Sequence, residues 1–214
     1  MDVLKPRLID KDRLVLFDKS ILEIKSEEIE KELLIKDISE NDIELIKIDI
    51  ENSCIKNVNI TESNLEQSSF MDVIFENCNF SNTSFERSNF IRCEFINCKL
   101  TGCKMINAVF TDVCFRESNL NYLNFTMASM KNVIFKKTQL VNAFFQEVEM
   151  KNMYFIAADL TMSKFFKTKL KDVDLSDSKI EGIAVSIEDI RGATISQFQA
   201  IDLLFLLGVN LKEE

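Results

Sequence analysis

Every fifth residue from Ile55 to Ile180 is apolar, over 26 consecutive positions. Neither regular element has that period. Five steps along an α-helix rotate about 140° and would smear the apolar residues around the whole cylinder. In a flat strand, residues five apart point to opposite faces. The chain must therefore turn once per repeat. With the recurring apolar residue called i, position i−2 is small or apolar, as in Ser63, Ser68, Val73, Cys78, Thr83, Ser88, Cys93, Cys98, Cys103 and Ala108. Residues two apart share a face of extended backbone. Each unit is then a short straight side with two inward side chains, followed by a corner. A small residue beside a large one fills a narrow interior without voids. Such sides can wind into a coil whose turns stack about 4.8 Å apart through backbone hydrogen bonds.

The segments "SNLEQ SSFMD", "CNFSN TSFER SNFIR CEFIN CKLTG" and "VDLSD SKIEG" resemble the pentapeptide repeat family, whose consensus is A(D/N)LXX. The resemblance covers roughly residues 43–185. It implies an all-β solenoid, a right-handed quadrilateral β-helix with four repeats, or about 20 residues, per turn. Read at that spacing, Phe75, Phe95, Phe115, Phe135 and Phe155 form one core ladder. Leu100, Leu120, Leu140 and Leu160 form a second, and Phe125, Phe145 and Phe165 belong to a third. The repeat region predicts about seven turns and a rod of roughly 34 Å. Residues 1–42 are expected to be an N-terminal capping segment, 43–185 the β-helix, and 186–214 a C-terminal cap.

Only 4 glycines and 1 proline serve the corners. Asparagine recurs at i+2 instead (Asn57, Asn77, Asn82, Asn97, Asn107, Asn132, Asn142, Asn152), a residue that tolerates turn dihedrals. Cys78, Cys93, Cys98 and Cys103 sit at i−2 and read as small core residues, whereas Cys54 and Cys114 at i−1 are expected to face outward. With no C-x2-C pair and no histidine, the sequence offers no zinc ligand set, and no cofactor is expected. The net charge of −9 is uneven: residues 1–52 hold 15 acids and 9 bases, residues 53–185 hold 15 of each, and residues 186–214 hold 5 and 2. No apolar stretch of about 18 residues suggests a membrane span. The opening MDVLKPRLIDKDRL lacks a signal-peptide core, which points to a cytoplasmic, bacterial protein.

Two helices are expected at the ends. Residues 26–34 read as a short helix with Ser26 as N-cap. Ser196 and Gln199 make a capping-box pattern before an apolar run, predicting a short C-terminal α-helix at about 197–207, stopped by Gly208. Phe198, Ile201, Leu204, Phe205 and Leu207 leave apolar groups on nearly all its sides, more than one coil end can cover. The reading is a lid that also joins a second copy, giving a homodimer.

No catalytic constellation is present. Without histidine there is no His-based triad, and there is no G-x-x-x-x-G-K or G-x-G-x-x-G loop. The expectation is a non-enzyme. Two surface features stand out. Tyr122, Met162, Phe144 and Phe166 suggest an outward apolar patch, with Ile74, Ile134 and Tyr154 a further outward column. Glu76, Glu94, Glu117, Asp174 and Asp177 share one side, together with Arg116, Lys136 and Lys137. Within the family, the layout of the whole chain is similar to the quinolone-resistance members (Qnr-type and MfpA-like), most locally at "IEGIAVSIEDIRGATISQFQAIDLLFLLGV". That resemblance implies DNA mimicry: binding of DNA gyrase or topoisomerase IV where DNA would bind, with no direct nucleic acid binding and no membrane. The unbroken register lacks the loops tied to protection, so inhibition is the expected outcome. The alternative is an interaction scaffold with an unrelated partner.

Overall fold

The computed structural model describes residues 3–7, 13–17 and 19–209. Short parallel strands stack in register at a spacing of 20 residues: Phe75 pairs with Phe95, Phe95 with Phe115, Phe115 with Phe135, and Phe135 with Phe155. Four corners per turn make the coil a right-handed quadrilateral β-helix. Each corner is a residue at i+2 with φ near +55°, for example Asn57, Glu62, Gln67 and Asp72 within one turn. Asparagine suits this left-handed region best. The fold nonetheless places Tyr122, Met127, Ala157 and Met162 there as well. A second local device precedes the corner: Asn64, Asn79, Asn119, Asn124 and Asp159 at i−1 each accept from the backbone N–H two residues on.

The interior is a continuous column of phenylalanines. Phe75, Phe95, Phe115, Phe135 and Phe155 stack with centroids 4.4, 4.8, 5.1 and 5.2 Å apart. Phe70, Phe90 and Phe110 form a parallel stack, as do Phe125, Phe145 and Phe165. Between stacks the rings meet edge to face, as at Phe125 and Phe135. Both geometries suit the ring quadrupole. Position i−2 has its own rule. Its hydroxyl or thiol donates to the carbonyl of the i residue one turn below: Thr83 to Ile60 (2.9 Å), Cys93 to Phe70 (3.3 Å), Cys103 to Phe80 (2.8 Å), Ser163 to Leu140 (2.7 Å). Serine, threonine and cysteine are therefore interchangeable there. Burial pushes the Cys93 thiol up to about 12, and the hydrogen bond with Cys98 together with burial pushes Cys78 higher still. Cys54, expected to face outward, is buried, and Cys114 is half-buried.

The ends differ from the sequence reading in three ways. First, no helix forms at 26–34. Ile29–Lys31 and Leu33–Lys36 are strands, with Glu32 at positive φ between them. Stacking on the next turn supplies bonds that a lone helical turn lacks: Glu27 N–H to Lys47 O (3.0 Å) and Glu32 N–H to Glu51 O (3.1 Å). The coil thus begins well before residue 43, over a plug of buried Ile21 and Ile24. Second, bonding continues past residue 185 to Leu175 N–H and Thr194 O (2.8 Å), with a four-residue α-helix, Ile187–Ile190, in place of a flat side. The solenoid has about eight turns, not seven, and spans about 40 Å. Third, the C-terminal helix, Ile201–Leu207, is a 3₁₀-helix. Gly208 ends it in the left-handed conformation, its N–H donating to Phe205 O. The capping box is present: Ser196 N–H donates to Gln199 Oε1 (2.7 Å) and Gln199 N–H to Ser196 Oγ (3.3 Å). The Gln199 amide then donates to Leu175 O (2.8 Å) and Ser178 O (2.5 Å), tying the helix to the last turn.

Candidate functional site

Among the described residues most ion pairs follow one spacing rule. Ion pairs join residues 20 apart, one turn above the other: Lys31 with Glu51 (2.7 Å), Lys56 with Glu76 (2.8 Å), Arg92 with Asp72 (2.6 Å), Lys167 with Glu147 (2.9 Å), Lys179 with Asp159 (3.7 Å). This rule decides the fate of the five expected partner-facing acids. Glu76 is held by Lys56, Glu94 by Arg116 (3.3 Å) and Glu117 by Lys137 (3.9 Å). Only Asp174 and Asp177 are without a cation there. Asp174 accepts from Ser176, side chain and backbone, which holds its carboxyl below the usual range. The side as a whole is charge-balanced rather than acidic.

A different place gathers less compensated acids. On the side built over Leu45, Leu65 and Phe85, a groove is lined by Asp42, Glu44, Glu62, Glu66, Asn64, Ser84 and Lys104. Glu66 accepts from Ser84 Oγ (3.0 Å), whereas Asp42, Glu44 and Glu62 make no ion pair among the described residues. The spacing of 20 places Asp42 one turn below Glu62, so stepping the sequence by 20 finds this cluster.

Farther along the same side the character changes from acidic to apolar. Tyr122, Met127, Met162 and Phe166 are exposed. Phe144 is half-buried, with Lys164 Nζ 4.5 Å over its ring. The sulfur of Met162 fills the space a Cβ would take at Gly182. The other expected outward column is partly covered: Ile74 is buried, and Ile134 and Tyr154 are half-buried. Residues 3–7 lie along this flank, with Leu4 N–H donating to Asp112 (3.4 Å) and Arg7 N–H to Asp72 (2.9 Å). Asp72 also takes a bidentate grip from Arg92 (2.6 and 2.6 Å).

The coil opens at one point. The strand Glu149–Ile156 pairs only with Ser129–Lys136 below it. On the two sides above it, where residues 169–177 pass, ladder bonds are missing, whereas the other two sides stay closed through Lys179 N–H to Ala158 O (2.9 Å) and Ala184 N–H to Ser163 O (2.8 Å). A groove results, lined by Lys151, Asn152, Tyr154, Lys171 and Asp172, and continued by Ile156, Asp174 and Asp177.

The C-terminal helix sorts into three rows, as a 3₁₀ winding requires. Leu203 and Leu206 pack on the core. Phe198, Ile201 and Leu207 are exposed in another row, at 76%, 61% and 69%, with Leu204 half-buried between them, and Phe205 is exposed at 52%.

Comparison with known proteins follows this geometry. Residues 68–145 match the family model described as a pentapeptide repeat region. The same winding extends in both directions beyond that match. Residues 68–145 are a pentapeptide repeat region. No curated protein matches it in sequence. Among solved structures, a trypsin-treated form of QnrB1, a plasmid-mediated fluoroquinolone resistance protein, is 15% identical, with 86% of this chain and 100% of that one covered and a TM-score of 0.45. HetL, a pentapeptide repeat protein involved in heterocyst differentiation regulation in the cyanobacterium Nostoc sp. strain PCC 7120, is 12% identical over 79% and 90%, TM-score 0.35. A pentapeptide repeat protein of the Arabidopsis thaliana thylakoid lumen is 23% identical over 49% and 66%, TM-score 0.33. At these identities no residue role passes from them to this chain. Among its described residues no helix is long and apolar enough to cross a membrane, and no group of three or more Asp, Glu or Cys is placed to hold a metal ion.

Proposed function

We propose that the protein is a non-enzymatic binder of a type II topoisomerase, DNA gyrase or topoisomerase IV, that competes with DNA and inhibits the enzyme. The observation that carries this reading is a rod whose repeats run without inserted loops and end in an exposed apolar row. Joined through Phe198, Ile201, Leu204 and Leu207, two rods would make one body of about 80 Å, the length of roughly 24 base pairs of duplex. The sequence likeness to the quinolone-resistance members supports the same partner. The acidic surface that meets the enzyme is then the Asp42, Glu44 and Glu62 groove, because the Glu76, Glu94 and Glu117 side is neutralised by its own cations. The test is DNA supercoiling by purified gyrase. Inhibition at near-stoichiometric protein, lost on Asp42→Asn/Glu44→Gln/Glu62→Gln, is expected; no effect at micromolar protein overturns the reading. A second reading, a scaffold for an unrelated protein, is favoured by the exposed Tyr122, Met127, Met162 and Phe166. It predicts capture of a partner that the triple charge variant still binds.

A further inference from the structure

One column carries the longest run of like charges on successive turns among the described residues. Lys131, Lys151, Lys171 and Arg191 occupy the same position on four consecutive turns, all exposed. Lys131 and Lys151 are register partners in paired strands. Lys171 lies against Gly192, where a Cβ would meet its Cγ at 3.1 Å, which places it beside Arg191. None of the four forms an ion pair among the described residues, although neighbouring cations do: Lys169 pairs with Asp189 (3.5 Å) and Lys167 with Glu147. The lower end of the same column follows the rule, with Lys31 on Glu51. Like charges stacked on successive turns repel one another. Four cations in one row, with no ion pair among the described residues, leave this row for an anion from outside. The opened groove lies within the row, between Lys151 and Lys171, and Tyr154 lines it. There the unpaired edge of the Glu149–Ile156 strand adds backbone N–H donors to the two ammonium groups.

We infer that this face binds the phosphate backbone of a single-stranded nucleic acid, beyond and apart from the topoisomerase reading and contrary to the expectation that the protein makes no direct contact with nucleic acid. The row is one cation wide. Glu149 and Asp172 flank it, so the surface suits a line of phosphates better than the broad anionic plane of a membrane. Tyr154 offers a flat ring to an unstacked base, which a duplex does not present. Neutralising four phosphates of a single strand gives a salt slope of roughly −2.8, or about a 50-fold loss of affinity between 50 and 200 mM salt.

The test is fluorescence anisotropy of the full-length protein with a labelled 20-nucleotide oligothymidylate, in the absence of any topoisomerase. Binding at 50 mM salt is expected, with that salt dependence. The Lys151→Glu/Lys171→Glu variant should bind at least 10-fold more weakly. Lys36→Glu/Lys99→Glu, an equal change of net charge elsewhere, should bind nearly as the parent does. No binding at 50 mM salt, or equal loss in both variants, overturns the proposal. So does preferential binding to phosphatidylserine vesicles over the oligonucleotide in a parallel co-sedimentation. The supercoiling assay reads the other reading separately, since Lys151→Glu/Lys171→Glu leaves the acidic groove intact.

Discussion

At the corners, a single dihedral angle governs what each residue costs. A left-handed conformation disfavours side chains other than glycine and asparagine by about 1–2 kcal/mol. Met127 sits there at φ 58° with its side chain exposed. Met127→Asn is expected to stabilise the fold by about 0.5–1 kcal/mol in chemical denaturation; a loss of stability would mean the thioether packs productively. Asp72 carries the sharpest electrostatic dependence. Burial works to raise its pKa, but the Arg92 guanidinium and the Arg7 N–H outweigh burial and hold it below the ordinary carboxylate value. A group depressed in the folded state contributes stability above its unfolded pKa and loses it as pH falls through the folded value. Asp72→Asn should therefore be destabilising at pH 7, with the gap to the parent closing below about pH 3.5 in pH-resolved denaturation. The asparagines at i+2 were legible as corner residues from the sequence. The grip of Arg92 on Asp72 was not visible until the spacing of 20 was used to stack charges as well as rings.

At the scale of the element, the repeat specified the inside of the coil far better than its ends. The ladder from Phe75 to Phe155 follows from counting by 20, because every turn repeats the same two inward positions. Phe115 is fully buried, stacked between Phe95 and Phe135 at 4.8 and 5.1 Å. Phe115→Ala should cost about 3–5 kcal/mol, since rings locked above and below cannot collapse into the cavity; a loss under 1 kcal/mol would contradict that packing. The ends misled for a physical reason. Residues 26–34 have local helix signals, but a neighbouring turn offers ladder bonds to the whole segment, and tertiary pairing outweighs propensity. Gln199 was legible as half of a capping box, while its second role was not. Its amide reaches the carbonyls of Leu175 and Ser178, a contact set by how the chain folds back on the last turn. Gln199→Ala leaves those buried acceptors unanswered, and a loss of about 1–3 kcal/mol is expected, with faster proteolysis after residue 195 as the local readout.

For the whole molecule, the two ends of the rod set its association. A parallel solenoid has unpaired backbone at both ends and avoids open-ended stacking only by capping them. At the N-terminal end, Ile21 and Ile24 are buried beneath the first turn. At the C-terminal end the cap seals the coil through Leu203 and Leu206, yet it turns a fresh apolar row outward, Phe198, Ile201 and Leu207. Two copies meeting through such a row about a two-fold axis would cover it without propagating. Sedimentation of the full-length protein should show a dimer, and Phe198→Glu/Leu207→Glu should give a folded monomer with an unchanged far-ultraviolet spectrum. Both positions are exposed, so the substitutions leave the Leu203 and Leu206 seal intact. A double variant that still sediments as a dimer would move the contact to the exposed Tyr122, Met162 and Phe166, and a parent that sediments as a monomer would leave the apolar row for a different protein.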